Sequence, residues 1–151
     1  MSAIAIAILV IIAAASGAVF KPGDWYESLR RPDWTPPNWA FPVVWSILYI
    51  AIGVSGWLIW EAQGLGLAMG LWLLQLVFNA AWSWLFFGMR RMDLAFVDVC
   101  ALLLSILAYI AVAAPVSQTA ALLFVPYALW VATAATLNRS VWRLNPEEAR
   151  G

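Results

Sequence analysis

Five apolar runs constrain this chain more than any other feature: about Ala3–Phe20, Pro42–Trp60, Leu65–Phe87, Leu94–Ala114 and Ala120–Val141. Each holds roughly the 17–25 residues that cross ~30 Å of hydrocarbon as a helix. Strands of that kind in lipid would leave backbone groups unpaired, so helix is the state these runs can take. The chain is 65% hydrophobic and 11% charged, against roughly 45–50% apolar and 25% charged in soluble domains. We therefore expect one all-α membrane domain, residues 1–151, with helices over about 3–20, 42–60, 65–87, 94–114 and 120–143. This is a five-transmembrane-helix bundle with a long structured loop between helices 1 and 2. The later connections, near Gln63-Gly64, Gly88–Asp93 and Pro115–Gln118, are short, so neighbouring helices run antiparallel.

Charge placement supports five spans and predicts an orientation. With five, the first loop, the third loop and the C-terminus share one side. They carry all eight basic residues: Lys21, Arg30, Arg31, Arg90, Arg91, Arg139, Arg143 and Arg150. For a bacterial inner membrane, the expected location, the positive-inside rule then reads as a multi-pass protein with N-terminus out and C-terminus in; an outer membrane is the alternative. Small residues over Ala13–Ala18 resemble a signal cleavage region, but the basic n-region is missing and Lys21 stands at the far end. A net charge of zero gives no reason to expect nucleic acid. Without His and with Cys100 alone, neither a metal or haem-ligating cluster nor an internal disulfide is expected. No cofactor is required.

Between the first two runs lies Trp34-Thr35-Pro36-Pro37-Asn38-Trp39-Ala40-Phe41-Pro42-Val43-Val44-Trp45. Its prolines forbid a regular helix through Pro36-Pro37, whereas Pro42 can open one. Trp25, Tyr26, Trp34, Trp39 and Phe41 suit an aromatic belt at the headgroup level. Tied together by Pro32, Pro36, Pro37 and Pro42, they equally suit a rigid lid over a planar apolar ligand.

Polar residues inside the runs mark candidate interior faces. Trp45 and Tyr49 share a face of the second helix, with Gly53 and Gly56 continuing near it. Gln75, Asn79 and Ser83 form a stripe on the third, beside Trp82 and Phe86. Interhelical hydrogen bonding and ligand contact both account for such amides; Asn79 is the better ligand candidate. On the fifth, Tyr127, Trp130, Ala134, Leu137 and Asn138 line one face, and Pro126 can kink the helix and free a carbonyl. Thr133 and Thr136 can satisfy that carbonyl or bond their own backbone. Asp98 is expected to pair with Arg90 or Arg91, with a proton or ligand site as the other reading. Cys100 reads as a small buried hydrophobe. Gly66 and Gly70 match a small-xxx-small dimer contact.

Three motifs resemble the tryptophan-rich sensory protein/translocator protein family, TspO. They are Trp34-x-Pro-Pro-x-Trp39-x-Phe41-Pro42-x-x-Trp45-x-x-x-Tyr49, then Asn79-x-x-Trp82 with Phe86-Phe87-Gly88, then Pro126-Tyr127-x-x-Trp130-x-x-x-Ala134-x-x-Leu137-Asn138. The resemblance implies a homodimer of five-helix subunits binding porphyrins, haem-related tetrapyrroles, sterols or benzodiazepine-receptor-type ligands. Carried across, the pocket comprises Tyr26, Trp45, Tyr49, Asn79, Trp82, Ser83, Trp130, Ala134 and Leu137, covered by the loop with Trp34 and Trp39. It also implies a catalytic role for Trp130 if light- and oxygen-dependent porphyrin breakdown occurs. The tract Leu137–Arg143 lacks the Tyr of sterol-binding relatives. Receptor or sensory binding of porphyrin is the leading expectation, porphyrin-degrading enzyme the alternative, and tetrapyrrole or sterol transport the last. Arg30 or Arg31 would meet the ligand's propionates.

Overall fold

Helix formation follows the apolar runs, with breaks where prolines and glycines stand. The structure, a computed structural model, describes residues 3–19 and 23–146. All its regular elements are helical: α1 (Ala3–Val19), α2 (Asp24–Ser28), α3 (Ala40–Gln63), α4 (Leu67–Ser83), α5 (Met92–Ala113), α6 (Gln118–Leu123) and α7 (Val125–Leu144). Four stretches are long and apolar enough to cross a membrane: Ala40–Gln63, Leu67–Gly88, Met92–Ala113 and Gln118–Leu144. The helix α1 is equally apolar but, at 17 residues, shorter. Lys21 and Arg150, which enter the orientation argument, lie outside the described residues.

Three boundaries differ from expectation for identifiable reasons. Helix α3 begins at Ala40, so Pro42 occupies its first turn, where no N–H is needed. The fifth run is two helices, because Phe124 turns between α6 and α7 and Pro126 sits at the start of the second. The Ser117 hydroxyl caps α6 by accepting from the Ala120 N–H at 3.2 Å. At its C-terminal end α4 widens into a π turn, Trp84–Gly88, where the Met89 N–H reaches the Trp84 carbonyl at 2.7 Å. Arg90 follows in the left-handed region at φ 56°.

Helix α5 packs along both α4 and α7, α1 lies against α3 and α4, and α6 bridges α3 and α5. One end of this bundle is closely packed, with its named polar groups bonded to one another or to backbone. The Trp72 indole fills the space left by Gly56, donating to the Ile52 carbonyl at 2.9 Å. Nearby, the Ser55 hydroxyl donates to the Ala120 carbonyl at 2.8 Å and lies 2.8 Å from the Tyr109 hydroxyl. Thr133 and Thr136 take the backbone option, donating to the carbonyls of Leu129 and Ala132.

Asp98 corrects one expectation. Arg91 forks onto Asp93 at 2.8 and 3.0 Å, and the Arg90 guanidinium lies 5.6 Å from the Trp25 ring centroid. Asp93 stands two residues from Arg91, whereas Asp98 is about 7.5 Å further along α5 at 1.5 Å per residue. The Asp98 Oδ2 atom is buried and has no hydrogen-bond partner. Cys100 is half-buried rather than buried.

Candidate functional site

The loop end of the bundle is assembled around aromatic rings. The short helix α2 places Tyr26 in the core, with ring centroids 5.5 Å from Phe87, 6.0 Å from Phe86 and 6.4 Å from Phe41. Trp25 meets Phe86 edge-on at 6.0 Å. The π turn makes this possible: its extra residue per turn lets consecutive Phe86 and Phe87 both contact Tyr26 and Trp82. Burial raises the Tyr26 phenol pKa above its ordinary value, and the Arg31 guanidinium, 4.9 Å from the ring centroid, partly offsets that.

Two polar ties hold this segment down. The Asn145 side chain, just beyond α7, clasps the backbone of Arg30 from both sides: it accepts from the N–H at 3.0 Å and donates to the carbonyl at 2.8 Å. Asn38 donates through Nδ2 to Glu27 at 2.9 Å, joining the segment before α3 to α2. Thr35 closes a turn by bonding the Pro32 carbonyl through both its N–H and its hydroxyl. This turn leaves Trp34 and Trp39 facing outward, 50% and 70% exposed.

Beneath the loop, α1, α3 and the end of α4 enclose a cavity of about 540 Å³. That lies within the ~300–1,000 Å³ usual for small-molecule sites. Its walls include Trp45, Tyr49, Trp82, Phe41 and Phe87, with Ala14, Gly17 and Ala18 along α1. Trp45 and Tyr49 stack at 5.5 Å with an interplanar angle of 28°. Asn38, Ser46 and Ser83 add polar atoms to this lining. The Asn38 Oδ1 atom is buried without a hydrogen-bond partner. An acceptor held in that way suits a ligand carrying N–H or O–H donors.

A hydrogen-bonded chain braces the inner wall. The Tyr49 hydroxyl donates to Asn79 Oδ1 at 2.7 Å, and Asn79 Nδ2 donates to the Tyr127 hydroxyl at 2.7 Å. Tyr127 in turn donates to Gln75 Oε1 at 2.8 Å, and Gln75 Nε2 to the Trp72 carbonyl at 2.8 Å. Beside it, the Trp82 indole donates to Asn138 at 3.0 Å, and Asn138 donates to the Met92 carbonyl at 2.9 Å. Asn79 thus orients Tyr49 and is itself held at both ends of its amide.

The residues picked out from the sequence fall into three positions. Trp45, Tyr49, Trp82 and Ser83 line the cavity directly. Asn79, Tyr26 and Trp130 lie behind that lining, and Trp130 packs edge-on against Phe41 at 5.7 Å and Trp45 at 6.4 Å; Ala134 and Leu137 are buried on α7 and are not among the lining residues. Its Nε1 atom is buried without a partner. Trp34 and Trp39 are outside, and neither Arg30 nor Arg31 is among the lining residues. The wall supplied by α1 is absent from the sequence-based site. Its signal was present, because the small residues over Ala13–Ala18 leave the space that the cavity occupies. Asn145, the clasp on the loop, carried no helical or motif signal.

Among the described residues no three His, Cys, Asp or Glu side chains stand close enough to hold a metal ion. The cavity's means are flat apolar surfaces, a few hydroxyls and one orphaned amide oxygen. They suit non-covalent recognition of a planar, largely apolar molecule.

Known proteins resemble this chain along most of its length. It is 43% identical over 140 residues to Protein CrtK of Rhodobacter capsulatus, covering 90% of this chain and 88% of that one. It is 37% identical over 132 residues to the tryptophan-rich sensory protein of Cereibacter sphaeroides, covering 87% and 84%. Against the human translocator protein, identity is 40% over 139 residues, covering 85% and 81%. The TspO/MBR family matches residues 3–143. Its apolar helices and these relatives make the chain a multi-pass membrane protein, and by that match it belongs to the TspO/MBR family.

Proposed function

We propose that this protein is a membrane receptor or sensor that binds a porphyrin or related tetrapyrrole in the cavity between α1, α3 and α4. The observation that carries this reading is the aromatic lining of the cavity, where Trp45 stacks with Tyr49 and Trp82 meets Phe87 edge-on. Rigid aromatic faces lose little side-chain entropy on binding a planar ligand. Sterols and benzodiazepine-type ligands are further candidates for the same space. In this reading no cofactor is required and Trp130 supports the wall through Phe41 and Trp45. The names of the relatives, a sensory protein and a translocator protein, support a ligand-responsive role.

The topology proposed with it has five spans, α1 being the fifth, and a structured first loop as the lid. The membrane is an inner membrane, with the N-terminus outside and the loop and C-terminus inside. The protein works as a homodimer, for which the exposed Gly66 and Gly70 at the start of α4 supply close approach.

Titration with protoporphyrin IX tests the pocket. Saturable quenching of tryptophan fluorescence is expected, weakened about tenfold by Trp45→Ala, corresponding to ~1.4 kcal/mol of lost ring contact. Undiminished affinity in that variant would remove the cavity from consideration. The enzymatic reading rests on the unpartnered Trp130 indole one ring behind Trp45. Light- and air-dependent bleaching of bound porphyrin that slows in Trp130→Leu would favour it.

A further inference from the structure

The cavity does not end at α3. A second, almost wholly apolar groove of about 570 Å³ runs between α1 and α3 on the outside of the bundle. Its walls include Ile6, Ala7 and Val10 from α1 and Gly53, Val54 and Trp57 from α3. Ala14 and Tyr49 line both spaces, so the groove begins where the cavity stops. From Ala14 it follows α1 to Ala3, about 17 Å at 1.5 Å per residue. Polar side chains gather only at the cavity end, where Asn38, Ser46 and Ser83 stand.

We infer that the site takes an amphiphile in two parts, a planar head in the cavity and a long alkyl or isoprenoid tail in the α1/α3 groove. This rests on the cavity reading above and adds the ligand's tail. The groove is shaped for a chain rather than for a helix. Gly53 brings α3 close to α1, a Cβ there lying 3.7 Å from Val10 Cγ2, so only a narrow channel is left beside the seam. The helices that bound it are apolar, so its surroundings are hydrocarbon and its occupant must be apolar as well. A tail tethered to a head already in the cavity reaches the groove at high effective concentration, an advantage that free lipid chains lack. Such a ligand arrives from the bilayer sideways, tail and head together, without passing the loop.

The test compares protoporphyrin IX with its dodecyl monoester, both titrated against the full-length protein in lipid nanodiscs, with empty nanodiscs as blank. The monoester is expected to bind about tenfold more tightly than the parent. Lipid partitioning raises the local monoester concentration equally for every variant, so the deciding quantity is the ratio of the two affinities across variants. Gly53→Leu and Ala7→Leu, which intrude on the groove from α3 and α1, should each bring that ratio close to the value set by partitioning. Ala7 is an exposed position on α1, so its variant remains informative if Gly53→Leu fails to fold. An unchanged ratio in both variants overturns the inference, because the tail then lies elsewhere. Dimer dissociation by Ala7→Leu with the ratio intact also overturns it and gives the groove to a second copy. If parent and ester both fail to bind, the cavity reading itself is lost. If both bind equally after correction for partitioning, the cavity stands and only the tail site falls.

Discussion

The two ends of this bundle are built on opposite principles. At the end away from the first loop, Ser55, Tyr109, Trp72 and Gly56 interlock, and each polar atom named there has a partner. At the loop end a cavity is left open, and three buried atoms near it, the Tyr26 hydroxyl, Asn38 Oδ1 and Trp130 Nε1, have no hydrogen-bond partner. Between the two runs the chain Tyr49–Asn79–Tyr127–Gln75, which separates packed core from open site. Unmade hydrogen bonds in a low-dielectric interior are costly. Their concentration at one end marks the place where the fold keeps capacity for something else. Stability and binding should therefore be separable by position.

The largest effect belongs to the closed end. Gly56→Leu would drive a side chain into the Trp72 indole and break its bond to Ile52. A loss of roughly 3 kcal/mol or more is expected from overpacking and the orphaned donor, measured as a fall in thermal stability in detergent. A near-normal melting temperature would contradict the tight packing described there. At the open end, Ser83→Trp should do the reverse. It fills empty volume, leaving stability within about 1 kcal/mol while weakening protoporphyrin binding more than about tenfold. Equal damage to both properties would erase the distinction.

The loop should respond in a third way. Asn145→Ala removes both bonds to the Arg30 backbone, each worth about 1 kcal/mol. Faster hydrogen exchange over residues 24–30 is the expected outcome, with a few-fold weaker binding. Protection that stays unchanged would show that the aromatic contacts of Tyr26 hold the loop alone. The smallest effect is expected from Asn38→Leu, which removes the orphaned acceptor together with the Glu27 contact. A two- to fivefold loss for ligands with N–H donors, about 0.5–1 kcal/mol, follows from the net worth of a single hydrogen bond.

The contrast between the ends was only half legible in the residues. Long apolar runs announce the helices, and the i, i+4 spacing of Trp45 and Tyr49 places them together on one wall. Asn79 was equally visible, but its use was not. Spacing reveals that an amide faces inward; it does not reveal that Tyr49 and Tyr127 already occupy it. The α1 wall was obscured because a cavity is written in small side chains, and Gly17 and Ala18 look the same in a loosely packed helix. The outward placement of Trp34 and Trp39 was not legible either, since abundance of indole near prolines says nothing about which side of a turn it faces. The pairing of Asp98 with Arg90 or Arg91 rests on their sharing one membrane interface, whereas Arg91 meets the nearer Asp93 and Arg90 lies by Trp25. The break at Phe124 and the clasp by Asn145 depend on contacts made from distant parts of the chain, which no local pattern encodes.

A ligand held between α1, α3 and α4 would shield the cavity wall from chemical modification. In a Cys100→Ser background, Ser46→Cys puts a thiol on the cavity wall and Leu65→Cys puts one on the exposed far end. Saturating protoporphyrin IX is expected to slow alkylation of Ser46→Cys at least about tenfold and to leave Leu65→Cys unchanged. Alkylation of Ser46→Cys at the same rate with and without bound ligand would contradict the account.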